Sequence, residues 1–219
     1  MARISVLTPT HNRKDLLLRL YRSLEASTYK DFEWTIVDDG SSDGTEEVIS
    51  EILEGSSFPI HYYWQENTGK TKVMDRLYQL ADGEYCFLVD DDDELMPDAM
   101  EKALAKWDSF SIAEREKIWC VCGRCIDSET KAMVGKPFPD NINEIGRKRQ
   151  KKILKSCCGE KIGMQKLSVL KKYRFPNIDG CNFIFESFLW DEINNHYDQY
   201  YTNDIFRIYY APTVGGEFI

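Results

Sequence analysis

The chain reads as an α/β protein with a Rossmann-like, mostly parallel sheet, helices on both faces and a smaller region after it. Three observations carry that reading. Short β-branched and aromatic runs alternate with amphipathic helical patterns up to about residue 110. The polar loops that end those runs fall on one edge, and open α/β sheets bind ligands beyond the C-terminal ends of their strands. One run, Tyr85-Cys86-Phe87-Leu88-Val89, passes directly into Asp90-Asp91-Asp92-Asp93-Glu94, as a buried strand would if it delivered acids into a crevice.

Taken in order, Arg3-Ile4-Ser5-Val6-Leu7-Thr8 predicts a strand that stops at Pro9, with Thr10-His11-Asn12-Arg13 as a loop. Leu16, Leu17, Leu20, Tyr21 and Leu24 then recur at helical spacing. Residues 32–37 form the second predicted strand, broken by Asp38-Asp39-Gly40-Ser41-Ser42-Asp43-Gly44. Val48, Ile49, Ile52 and Leu53 mark the helix after it, with Ser42 or Asp43 as its cap. A third strand is expected over 60–64, followed by a helix through Val73, Met74, Leu77, Leu80 and Ala81. After the acidic strand, Ala99, Met100, Ala103, Leu104 and Trp107 give a fourth helix. Beyond that the alternation weakens. The spacing predicts a strand over 118–126, a turn-rich connection over 137–145, a short helix over 167–173, a longer one over 183–197 and a strand over 206–210. Residues 1–110 and 111–219 read as two halves of one domain.

At 219 residues the chain is long enough for one domain with a substantial core, and 42% hydrophobic with 30% charged residues is a soluble globular composition. It shows no 18-residue apolar run and no N-terminal signal pattern, which predicts a cytoplasmic location. A formal net charge of -9 excludes a general nucleic-acid binder, which needs a basic footprint. Against that acidic background, Arg147-Lys148-Arg149-Gln150-Lys151-Lys152-Ile153-Leu154-Lys155 packs six cations into nine residues.

Seven cysteines without a secretion signal read as reduced thiols. Cys122 and Cys125 form a C-x-x-C, with Cys157 and Cys158 as a second pair, so a structural zinc site is one alternative. The other is core burial, because Cys120 and Cys122 lie in the apolar run Ile118-Trp119-Cys120-Val121-Cys122.

The acids are the centre of the chemical argument. Two unit charges about 4 Å apart repel by about 1 kcal/mol in water and about 4 kcal/mol at the effective dielectric near a protein surface. Five carboxylates beside a core therefore call for a cation, and oxygen-only ligands suit Mg²⁺ or Mn²⁺. The rival reading is a solvated acidic turn capping the next helix, with Pro97 as its first residue.

The ordered set of motifs resembles glycosyltransferase family 2, whose members have the GT-A fold. The resemblance rests on Thr8-Pro9-Thr10-His11-Asn12-Arg13, on Val37-Asp38-Asp39-Gly40-Ser41-Ser42-Asp43-Gly44-Thr45 and on Leu88-Val89-Asp90-Asp91-Asp92-Asp93. Asn67-Thr68-Gly69-Lys70, Ala81-Asp82-Gly83-Glu84-Tyr85, Phe175-Pro176, Phe183-Ile184-Phe185-Glu186 and Asn203-Asp204-Ile205-Phe206-Arg207-Ile208-Tyr209-Tyr210 extend it over nearly the whole chain. It implies a metal-dependent, inverting transfer of a sugar from a nucleoside-diphosphate donor, UDP-linked as first choice, to an acceptor hydroxyl in polysaccharide or glycolipid assembly. Residues 1–110 would then be the donor half and 111–219 the acceptor half.

By the same resemblance, Pro9, Thr10 and Arg13 border the nucleotide, Asn12 and Lys70 belong to the same substrate-binding set, and Asp38 or Asp39 contacts the base. The D-x-D motif falls on Asp90, Asp91 and Asp92, with Asp90 near the ribose, Asp91 within the substrate site and Asp92 on Mg²⁺ or Mn²⁺. Glu186 matches the position of the catalytic base, and its apolar neighbours would raise its pKa. Asp179, Glu160, Asp191 and Glu192 are the alternatives for that role. The basic stretch at 147–155 would meet either an anionic membrane carrying a lipid-linked acceptor, at the inner face, or the acceptor's own phosphate. Its bland alternative is a solvated loop. Two departures stand out: Asp75 where the family usually has Asn, and many members continue well past the tyrosine pair.

Three rivals use the same residues. Gly40-Ser41-Ser42-Asp43-Gly44 matches G-x-S-x-G between a strand and a helix, so Ser42 would be the nucleophile of a serine hydrolase with His61 or His196 as partner. Asp90-x-Asp92 also resembles the nucleophile and acid of phosphatases that form an aspartyl intermediate. The third rival is a non-catalytic family member that binds a nucleotide or a partner.

Overall fold

The computed structural model describes residues 2–144, 147–176 and 184–211, with the side chains of 147–149 outside that description. Asp179, Cys181 and Phe183 therefore lie outside the described residues. So does the end of the chain beyond residue 211.

Four strands form the parallel part of the sheet. β1 (Ile4–Thr10) and β2 (Phe32–Asp38) are buried along their whole length, β3 (Ile60–Trp64) lies outside β2, and β4 (Tyr85–Leu88) lies on the other side of β1. Strands covered on both faces need apolar residues at successive positions, as in Ile36-Val37 and Phe87-Leu88. The connections are α1 (Lys14–Glu25), α2 (Thr45–Gly55) and α3 (Lys70–Leu80). Pro9 stays within β1 because β4 pairs with β1 only as far as Leu7, leaving that side of Pro9 outside the ladder.

After β4 the short β5 (Glu94–Leu95) precedes α4 (Ala99–Ser109) and α5 (Ile112–Lys117). α4 starts at Ala99 with Asp98 as its N-cap, and β5 intervenes, so the acidic run does not cap that helix. β6 (Ile118–Asp127), α6 (Arg147–Cys157), β7 (Lys161–Lys166), α7 (Leu167–Leu170), α8 (Glu186–Ile193) and β8 (Asp198–Tyr209) complete the order. β7 pairs antiparallel with β4 and β6, β8 runs parallel to β6, and β5 closes the edge antiparallel to β8. The result is one eight-stranded sheet in the order β3-β2-β1-β4-β7-β6-β8-β5.

Residue alternation along the strands builds two cores. Val6, Trp34, Phe87, Met164 and Phe206 pack on the face covered by α1 and α4. Leu7, Val37, Cys86, Trp119 and Tyr201 pack on the other, with residues of α3, α7 and α8. Among the described residues, no helix is long and apolar enough to cross a membrane.

Several elements depart from the sequence expectations. β7 and α5 are additional, α8 is shorter than predicted, β8 begins near Asp198 rather than at 206, and the basic stretch is the helix α6 instead of a loop. α5 carries a complete capping box between Ser111 and Glu114.

Candidate active site

The ends of β1 and β4 bring two groups of charges together. In the first, the Thr10 hydroxyl donates to Asp91 at 2.7 Å, and one Arg13 nitrogen reaches Asp91 at 3.2 Å and Asp92 at 2.9 Å. Asp91 is 3% exposed. Burial pushes its carboxyl up to about 7, while the Thr10 hydroxyl and the Arg13 charge pull the other way. Arg19, from α1, donates to the Asp92 carbonyl, sits 4.0 Å from Glu94 and stacks 3.5 Å above the Tyr210 ring. Asp93 pairs with Arg207 at 2.8 Å and accepts the Tyr210 backbone N–H at 3.2 Å. Burial pushes Asp93 up to about 7 as well, with the Arg207 charge opposing.

The second group centres on Lys70, the first residue of α3. Gly69 before it has φ 88°, a left-handed value that turns the chain sharply into the helix. The Lys70 ammonium lies 2.7 Å from Asp90 and 3.3 Å from Glu186, the first residue of α8. Burial works against that ammonium, but the charges of Asp90 and Glu186 outweigh it and hold its pKa above the usual lysine range. Phe185 and Phe188 beside Glu186 are 71% and 59% exposed. Among the described residues, then, these two expected apolar neighbours turn to solvent and a cation lies against the Glu186 carboxylate.

The two loops after β1 and β2 are fastened to each other. Asn12 adopts φ 52°, which asparagine tolerates better than most residues, and this lets it accept from Ser42 N–H at 2.8 Å while its own N–H reaches the Ser41 hydroxyl at 2.8 Å. Asp38 accepts from Ser41 N–H at 2.8 Å and from the Tyr62 hydroxyl at 2.7 Å. Asp39 accepts from Thr68 N–H at 2.9 Å, Gly69 N–H at 2.8 Å and the Gln65 amide at 2.8 Å. Both acids thus shape the loops that surround Lys70 and the ends of β1 and β2.

Asp90, Asp92 and Asp93 each place a carboxylate oxygen within 4.8 Å of the others, the one such group of three or more His, Cys, Asp or Glu among the described residues. This all-oxygen donor set fits Mg²⁺ or Mn²⁺. Asp93 is buried against Arg207, whereas Asp90 and Asp92 are partly exposed, each with one oxygen toward a cation, Lys70 at 2.7 Å and Arg13 at 2.9 Å.

A cavity of about 790 Å³ opens beside these acids, within the range of about 300–1,000 Å³ usual for small-molecule sites. Asp90 and Glu186 both line it. Its sheet wall comes from β6, β7 and β8, and its helical walls come from α6 and α8, including Lys151, Leu154, Trp190 and the α8 cap Asn194. Asn194 accepts the Trp119 indole N–H at 2.8 Å and so ties α8 to β6.

The sequence reading found Pro9, Thr10, Asn12, Arg13, Asp38, Asp39, Lys70, Asp90, Asp91, Asp92 and Glu186, and all of them stand at or beside this edge. It missed Arg19, Arg207, Tyr210 and the cavity. Arg207 and the adjoining Tyr210 lie in the stretch predicted as a strand, but nothing local pairs them with the acid run, and Arg19 has no distinguishing local signal. Of the alternatives to Glu186, Glu160 pairs with Arg207 at 3.1 Å, Asp191 with Lys151 at 3.1 Å, and Glu192 lies 3.7 Å from His196.

A serine hydrolase is not built here. His61 sits 3.6 Å from Glu33, near the start of β2 and away from the strand end that carries Ser42, and His196 lies beyond α8. The cysteines do not form a zinc cluster among the described residues. Cys86, Cys120, Cys122, Cys125 and Cys157 are buried free thiols and Cys158 is an exposed one.

Comparisons with known proteins agree with this architecture. The family model described as "Glycosyl transferase family 2" matches residues 5–174. A GalNAc(5)-diNAcBac-PP-undecaprenol beta-1,3-glucosyltransferase of Campylobacter jejuni is 29% identical over 213 residues, covering 95% of this chain and 65% of that protein. The abequosyltransferase RfbV of Salmonella typhimurium is 36% identical over 100 residues, 44% of this chain and 30% of that one. The chain thus spans less than two thirds of these relatives. Among solved structures, Staphylococcus aureus TarS 1-349 in complex with UDP-GlcNAc superposes with a TM-score of 0.68 at 18% identity, covering 98% of this chain and 60% of that one. The mannosyltransferase PcManGT from Pyrobaculum calidifontis, in complex with GDP-Man and Mn²⁺, gives 0.69 at 19% identity over 98% and 58%. Both likenesses are of fold.

Proposed function

Since this chain belongs to glycosyl transferase family 2, we propose that it transfers one sugar, with inversion, from a nucleoside-diphosphate donor to an acceptor hydroxyl in glycolipid or polysaccharide assembly. The observation that carries this reading is the bridge Asp90–Lys70–Glu186 at 2.7 and 3.3 Å, bordering a cavity large enough for an acceptor. Inverting transfer is a single displacement, so one carboxylate must take the acceptor's proton on the face opposite the leaving diphosphate. Glu186 opens a helix on the far side of Lys70 from the acid run. That is a suitable station for a base which the acids of the donor side cannot supply.

In this reading Asp90 and Asp92 hold Mg²⁺ or Mn²⁺, which when bound neutralises the diphosphate and contributes several kcal/mol of charge stabilisation. Arg13 orients Asp92 and Asp91, and Thr10 fixes Asp91 from β1. Asp38 or Asp39 presents the base-binding loop. Lys70 holds the Glu186 carboxylate at 3.3 Å at the cavity's edge, where an acceptor hydroxyl would give up its proton. UDP-linked sugars are the first donors to try.

The test is a panel of nucleotide sugars with Mn²⁺, scored by ligand-dependent thermal shift and by nucleoside-diphosphate release. Stabilisation and release with one donor and no other support the reading. A chain that binds no nucleoside diphosphate under any of these conditions overturns it.

A further inference from the structure

α8 has eight residues, too few for a helix to hold its own ends, so its outside ties decide where Glu186 stands. Leu189 and Ile193 bury one face in the core, and Asn194 at the C-terminal end accepts from Trp119 of β6. The N-terminal end is different. Phe185 is the N-cap there and has no side-chain oxygen to offer the first turn. Its tie comes from α3: the Thr71 hydroxyl oxygen accepts the Ile184 N–H at 2.9 Å, two residues before Glu186. Thr71 is 7% exposed and follows Lys70, whose ammonium meets the Glu186 carboxylate at 3.3 Å.

We propose that Thr71 is a positioning residue for Glu186. The inference rests on the reading of Glu186 as the base, and it names the group that sets the base's place. A helical threonine commonly turns its hydroxyl to a carbonyl of its own preceding turn. Here its oxygen also receives an N–H from 113 positions along the chain. Asp75, one turn further on the same face of α3, accepts the Phe175 N–H at 3.4 Å, so this face receives the chain at Phe175 and again at Ile184. The start of α3 is itself fixed from the loop after β2, because Asp39 accepts the Thr68 and Gly69 N–H groups at 2.9 and 2.8 Å. A continuous run of bonds therefore leads from that loop through Thr71 to the residues that open α8. Without the Thr71 oxygen the Ile184 N–H loses its acceptor, and the first turn of α8 can carry Glu186 away from Lys70. A displacement of about 1 Å at a reacting group can cost about 10²-fold in rate.

The test gives UDP- and GDP-linked sugars with Mn²⁺ to the wild type, Thr71→Val, Thr71→Ser and Glu186→Gln. It reads nucleoside-diphosphate release in a single turnover, and UDP and GDP affinities by calorimetry. Valine keeps the shape and removes the acceptor, whereas serine keeps the acceptor. Thr71→Val should release nucleoside diphosphate about 10-fold or more slowly, with UDP and GDP affinities within about 2-fold of wild type. Thr71→Ser should recover to within about 3-fold of the wild-type rate. In the Glu186→Gln background Thr71→Val should cost less than about 2-fold more, because a residue that acts through another then has nothing left to position. Thr71→Ala takes the place of the valine variant should that one not fold. Wild-type release by Thr71→Val, a loss as deep in Thr71→Ser, weakened nucleotide binding in both Thr71→Val and Thr71→Ala, or an undiminished cost in the Glu186→Gln background overturns the proposal alone. A wild type that releases no nucleoside diphosphate from any of these donors removes the transferase reading, and the positioning role with it.

Discussion

Lys70 reaches Glu186 at 3.3 Å while also holding Asp90 at 2.7 Å, so a single ammonium ties the acid run after β4 to the start of α8. With this cation between them, two carboxylates can approach one substrate from opposite sides without facing each other bare.

Glu186→Gln keeps the shape and removes the base. General base catalysis contributes about 10²- to 10⁴-fold, so turnover should fall by at least about 10²-fold while donor affinity stays within a few-fold. Steady-state kinetics at saturating acceptor check this. Near wild-type turnover would move the role to Glu160, Asp191 or Glu192, or to Asp179.

Lys70→Met leaves Asp90 and Glu186 confronting each other across a half-dry gap. Activity should drop at least as far as in Glu186→Gln, and the urea midpoint should fall, because removing one partner strands the others. Lys70→Arg should recover most of the stability. A midpoint in Lys70→Met equal to wild type would refute the bridging role.

Asp92→Asn should abolish transfer and leave the fold intact, since it removes a metal ligand but also relieves repulsion among neighbouring acids. Loss of Mn²⁺-dependent thermal stabilisation is the direct readout. Full activity in excess EDTA would refute the metal requirement.

Asp75 gives a prediction about pH. Burial raises its pKa, opposed by the Phe175 N–H, which donates to it at 3.4 Å, and by the charge of Arg174. A carboxyl whose folded pKa is raised gives its full stability below the unfolded value, about 3.9, and loses it as pH rises through the folded value. Asp75→Asn should therefore raise the melting temperature at pH 7 by about 1–3 °C, a gain that vanishes below about pH 4. An equal gain at both pH values would mean that ionisation is not the cause.

Lys152 and Lys155 are exposed on α6. If this helix meets an anionic surface, at about 1 kcal/mol per cation, the pair Lys152→Glu and Lys155→Glu should lose most co-sedimentation with phosphatidylserine vesicles at low salt. Sedimentation independent of lipid charge would leave the helix with its cavity role alone.

The parallel half was legible because β1, β2 and β4 are buried on both faces, the edge strand β3 is aromatic and β-branched, and the helices are amphipathic, so composition and periodicity agree there. The later half was harder for physical reasons. β7 alternates Ile162 and Met164 with Gly163 and Gln165, a pattern too short and too polar to announce a central strand. α6 is so rich in lysine and arginine that only Ile153, Leu154 and Cys157 mark an apolar side, and the run reads as a solvated loop. At the site, the acids and Glu186 were visible as motifs. Arg207 was not seen as a partner of Asp93 because 114 positions separate them, and strand pairing rather than local sequence brings them together.

That pairing also sets an order of events during synthesis. β5 follows the acid run at once and, among the described residues, pairs with β8, whose Arg207 then neutralises Asp93. The nascent chain can already hold Asp90, Asp91 and Asp92 through Lys70, Thr10, Arg13 and Arg19, but Asp93 stays without Arg207 until residues near 207 have left the ribosome, and that closing contact spans more than half of the sequence. Contacts of such separation slow folding.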